Sequence, residues 1–76
     1  MPHITKIIVR EQYRLEVLLD NGTIVILNMA PRLNSIRFMP LKNWSFFLSA
    51  TTDGQYIRWG KQVEISLSEV FHLAQK

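Results

Sequence analysis

The stretch YRLEVLLDNGTIVILNM, residues 13–29, decides how this chain is read. In its first half, Tyr13, Leu15, Val17 and Leu19 alternate with Arg14 and Glu16. That period of two is the mark of a half-buried strand, here spanning 13–20. Asp20, Asn21 and Gly22 then supply residues that tolerate positive φ, a strong short-range hairpin signal. The second half, 23–29, is apolar on both faces. It therefore reads as a strand returning to the centre of a sheet. Upstream, ITKIIVR at 4–10 is rich in β-branched residues and reads as a further strand, joined by a short turn at Glu11–Gln12. Residues 4–29 thus predict a meander of three antiparallel strands.

Downstream the pattern breaks. Pro31 and Pro40 exclude a continuous helix over 30–43. The segment reads as an irregular connector lying across the sheet, with Leu33, Ile36, Phe38 and Leu41 pointing inward. A short helical turn is expected in LKNWSFF. Residues 47–52 read as a strand, Asp53–Gly54 as a turn, and QYIRW at 55–59 as the hairpin partner. KQVEIS extends the sheet by one short segment. Ser66 and Glu69 have the spacing of a capping box, and Leu67, Val70, Phe71 and Ala74 recur at helical spacing behind them. The fold class expected is α+β: a small, mostly antiparallel sheet made of a meander and a hairpin, a proline-containing connector, and a C-terminal helix.

The chain has 76 residues, 47% of them hydrophobic and 20% charged, a balance that gives one small globular domain, 1–76, rather than a disordered segment. It has no cysteine, so neither a disulfide framework nor a thiolate metal site is expected. The longest apolar run, Ile24–Leu27, is far short of a membrane span, and the N-terminus lacks a secretory pattern. A cytoplasmic location is the expectation. The formal charge of +3 comes from basic residues scattered along the chain, where nucleic-acid binders concentrate them.

Chemistry is sparse. The two histidines, His3 and His72, lie at opposite ends. Glu69 and His72 share a helix face, but a metal site needs three or four ligands. Ser68 and His72 are one turn apart, without a third residue to orient the base. Isolated glycines form no phosphate loop. Neither a catalytic set, a cofactor nor a metal is expected. Two surface features remain. YIRWGK interleaves aromatic and basic residues, which makes Arg58 and Lys61 the candidates for nucleic-acid contact. Alternation places Ile57 and Trp59 inward and Tyr56 and Arg58 outward. In WSFF, Phe46 or Phe47 is expected inside, and Trp44 at the surface as an interaction anchor.

The order Asn21-Gly22, Phe38 with Leu41, Phe46 or Phe47, Ile57 with Trp59, and Glu64-Ile65-Ser66 resembles the bacterial domain of unknown function numbered 2442. Here the segment after the tryptophan is GKQV, where the family has an Asn-Gly-like turn, and Glu64 stands at a position commonly Asp. The resemblance implies a compact α+β domain with no established activity. It also implies genomic pairing with another small protein, in a toxin-antitoxin-like arrangement. The leading expectation is a non-catalytic interaction module. It would bind a protein partner, or itself as a homo-oligomer, through the helix face or an edge strand at 4–10 or 62–66. The alternative is a nucleic-acid-associated regulator.

Replacing Gly22 or Gly54 by valine is expected to destabilise the fold by more than about 1 kcal/mol, because a β-branched residue resists positive φ. Thermal melts of both variants that match the parent would refute the turn assignments.

Overall fold

Alternating apolar residues fix the first sheet. A computed structural model describes residues 2–74. In it β1 (Ile4–Arg10), β2 (Arg14–Leu19) and β3 (Ile24–Asn28) form an antiparallel sheet in the order β1-β2-β3. Leu15, Val17 and Leu19 of β2 and Val25 and Leu27 of β3 are buried on one face. The chain then passes through 3-10 turns at Ala30–Arg32 and Met39–Lys42 into α1 (Trp44–Phe47). A second antiparallel sheet follows, of β4 (Thr51–Thr52), β5 (Tyr56–Trp59) and β6 (Val63–Ser66) in that order. Helix α2 (Leu67–Ala74) closes the fold. The α+β class is as expected, with the meander and the hairpin belonging to separate sheets.

The turns form for local reasons. The Gly22 N–H donates to the Leu19 carbonyl at 3.1 Å, and Gly22 alone in that turn has positive φ, +88°. This is a tight turn followed by a glycine bulge. Gly54 sits at φ +101°. Beside it the Asp53 carboxylate accepts the N–H groups of Gln55 and Tyr56 at 2.9 and 3.0 Å. The Ser66–Glu69 capping box is present in both directions. Ser66 Oγ accepts the Glu69 N–H at 3.2 Å, and Glu69 Oε1 accepts the Ser66 N–H at 3.4 Å.

Several expectations are corrected. β3 is an edge strand, not a central one: it is apolar on both faces, but only one face is covered. Tyr13 lies outside the strand; it and Gln12 adopt positive φ, 59° and 63°. Ile36 is 90% exposed, although Leu33, Phe38 and Leu41 are buried. The neighbouring Arg37 side chain reaches Glu69 with bonds of 2.6 and 2.9 Å, which leaves Ile36 facing solvent. The strand expected over 47–52 shrinks to two residues. Phe47 ends α1, and the Leu48 and Ser49 N–H groups close that turn onto the Trp44 and Phe46 carbonyls. On α2, Phe71 and Ala74 are exposed, and the inward line runs through Leu67, Val70 and half-buried Leu73.

One aromatic column joins the parts. Trp59 is fully buried on β5 and stacks on Phe47 of α1, with ring centres 6.0 Å apart. Its indole N–H donates to the Phe47 carbonyl at 3.0 Å. Phe47 in turn meets Tyr13 at 5.1 Å and Trp44 at 5.6 Å. The Tyr13 hydroxyl donates to the Lys42 carbonyl. The first sheet also reaches the second through the Ile4 N–H, which donates to the Gly54 carbonyl at 2.8 Å. No helix among the described residues is long and apolar enough to cross a membrane.

Trp59→Phe removes both ring volume and the donor to a buried carbonyl. It is expected to lower stability by about 2–4 kcal/mol in urea unfolding. A loss below about 1 kcal/mol would show that the indole bond is dispensable.

Candidate functional site

Strand register determines which side chains share the uncovered face of the first sheet. Lys6, Leu18 and Ile24 lie in one row across it. Ile8, Glu16 and Ile26 form the next row, and Arg10, Arg14 and Asn28 the third. Ile24 is 56% and Ile26 52% exposed, while Ile8 and Leu18 are half-buried. A face in this state holds an apolar cluster toward β3 and cations toward β1. Glu16 is the carboxylate within these rows, and Arg10 Nε donates to it at 2.7 Å, which raises the Arg10 pKa. Arg14 Nε donates to the Glu11 carbonyl at 3.3 Å. A shallow depression of about 480 Å³, lined by Val9, Arg10, Glu11, Arg14, Glu16 and Ile26, marks the basic end.

The sheet edges differ. On β6, the Glu64 carbonyl accepts from Arg37 at 2.9 Å and the Ser66 N–H is taken by Glu69. Arg37 and Glu69 thus close the outward side of that strand. The paired guanidinium holds the Glu69 carboxyl below its ordinary pKa. β1 is occupied at its start by Gly54. On β3, alternation turns the main-chain groups of Ile24, Ile26 and Asn28 away from β2. Among the described residues those groups have no backbone partner. Helix α2 runs beside this strand, pinned at its last turn by Arg32, which donates to the Leu73 carbonyl at 2.9 Å.

Arg58 and Lys61 are brought together, lining a depression of about 410 Å³ with Glu64. Arg58 is already engaged. It donates to Asp53 at 2.5 Å and to Glu64 at 3.0 Å, and its guanidinium lies 4.9 Å from the Tyr56 ring centre. Two carboxylates on one guanidinium leave no net positive charge there for a phosphate. Lys61 is exposed in the turn between β5 and β6. Trp44 is 39% exposed, its inner surface held edge-on against Tyr13 at 5.3 Å. Of the aromatic pair, Phe47 is buried and Phe46 half-buried; Ile57 and Trp59 face inward as alternation requires.

Among the described residues no three His, Cys, Asp or Glu side chains converge on a point. His3 pairs with Asp20, Nδ1 to Oδ2 at 3.5 Å, in an exposed contact that sequence separation hid. The open face was also missed as a site. Its signal was the two-sided apolar character of residues 23–29, which marks an exposed cluster once the strand is at an edge. Compared with family models, with curated proteins and with solved structures, the chain finds no match in any of the three.

Arg58, with the Gln55 and Tyr56 N–H groups, holds the Asp53 carboxyl at about 2, below its ordinary 3.8. A carboxyl depressed in the folded state stabilises it fully above the ordinary value. That contribution fades as pH falls toward about 2. Arg58→Ala is expected to move the Asp53 titration back up toward 3.8, read by carboxyl-carbon NMR. An unmoved titration would assign the depression to the backbone donors alone.

Proposed function

We propose that this chain is a small, non-catalytic interaction module that binds a protein partner in the cytoplasm. The carrying observation is the open face of the β1–β3 sheet, with Ile24 and Ile26 more than half exposed. A one-sided sheet in water normally carries polar residues on its free face. Contiguous apolar residues flanked by charge are a common composition of a docking surface. The scattered acids and histidines support the non-catalytic part of the reading, since general acid–base chemistry needs a connected set within hydrogen-bond reach. The pairing with a second small protein that the family resemblance implies would supply such a partner, as one half of a toxin-antitoxin-like pair. The neutralisation of Arg58 by Asp53 and Glu64 weighs against nucleic acid as the ligand.

Affinity capture of the tagged chain from its source lysate, with and without nuclease, is expected to retain one protein in near-stoichiometric amount under both conditions. Recovery that vanishes with nuclease, or that consists of nucleic acid, would overturn the reading.

A further inference from the structure

We infer that the open face of the β1–β3 sheet receives an acidic amphipathic helix of the partner protein. The inference rests on the interaction-module reading and adds the chemistry and shape of what is bound. Charge complementarity carries it. Lys6, Arg10 and Arg14 lie on the face, Glu16 among them is held by Arg10, and Glu11 lines the depression at its basic end, so cations outnumber carboxylates there by one. A partner that buries Leu18, Ile24 and Ile26 must therefore bring carboxylates to the border.

The same charges disfavour a second copy of this face, which would bring cations near cations. Nucleic acid fits poorly for another reason: base stacking uses aromatic rings, and this face offers aliphatic side chains. Strand addition along β3 would satisfy the outward main-chain groups of Ile24, Ile26 and Asn28 but leave their side chains uncovered. A helix laid over the sheet covers them, completing the layer that a one-sided sheet lacks. Strands of five or six residues run about 17–20 Å. A helix of about 12 residues spans about 18 Å.

The test is an NMR titration of the isotope-labelled full chain with synthetic helices. The peptides share a leucine stripe at i, i+3, i+4 and i+7 and differ in flanking residues: Glu, Gln or Lys. The Glu-flanked peptide is expected to shift the amides of Ile8, Leu18, Ile24 and Ile26, and to bind at least about tenfold tighter than the others. The double variant Lys6→Glu with Arg14→Glu is expected to invert that order. Ile26→Asp, at a half-exposed position, is expected to abolish binding while leaving the melting curve close to the parent. Equal binding of the three peptides, or no shifts on this face, would overturn the inference. So would tighter binding of a short single-stranded DNA here, or a dimer that Ile26→Asp dissolves. If lysate capture still yields a partner while the peptides fail, the face assignment is wrong and the module reading stands.

Discussion

The bond from the Trp59 indole to the Phe47 carbonyl organises the molecule. It lies inside a small core, where an unmade bond to a buried carbonyl is expensive. It fixes α1, only four residues long, against the second sheet. A helix that short has no stability of its own. Once fixed, α1 presents Phe47 and Trp44 to Tyr13, and so to the turn that begins β2. Among the described residues the two sheets share no ladder; this column and the Ile4–Gly54 bond join them, and α2 packs against strands of both.

The charged residues follow a division of labour. Arg37 with Glu69, and Arg58 with Asp53 and Glu64, tie the connector, the second sheet and the start of α2 together. These pairs are partly exposed, so each contributes modestly to stability. Their larger effect is directional, since they decide which side chains face outward and which sheet edge is occupied. The second sheet is thereby finished on its outer edge. The first sheet keeps an uncovered face that carries Lys6, Arg14 and the Arg10–Glu16 pair.

Much of this was legible in local sequence. The alternation of Leu15, Val17 and Leu19, the Ser66–Glu69 capping box and the glycines of both turns are determined within a few residues, and each appears where the pattern places it, whereas Tyr13 at the start of that alternation falls in the turn instead. Trp59 inside and Trp44 at the surface follow from alternation and position. What was not legible depends on distant partners. Ile36 faces out because Arg37 bonds a residue 32 positions away. β3 lies at an edge because strand order is a property of the whole sheet. Arg58 is neutralised because the β5–β6 register sets Glu64 opposite it. The candidate face stayed hidden for the same reason: its three rows exist only once the register is known.

Tyr13 holds a conformation that L-residues avoid, with φ at 59°. Left-handed backbone costs about 1–2 kcal/mol for a residue bearing a Cβ. A glycine would suit the turn, but it would remove the ring that meets Trp44 and Phe47 and the hydroxyl that reaches Lys42. The position therefore answers to two incompatible demands, and the tertiary one wins. The first hairpin borrows its turn from a segment 29 residues downstream, so it is a poor independent nucleus and a good reporter of completed assembly.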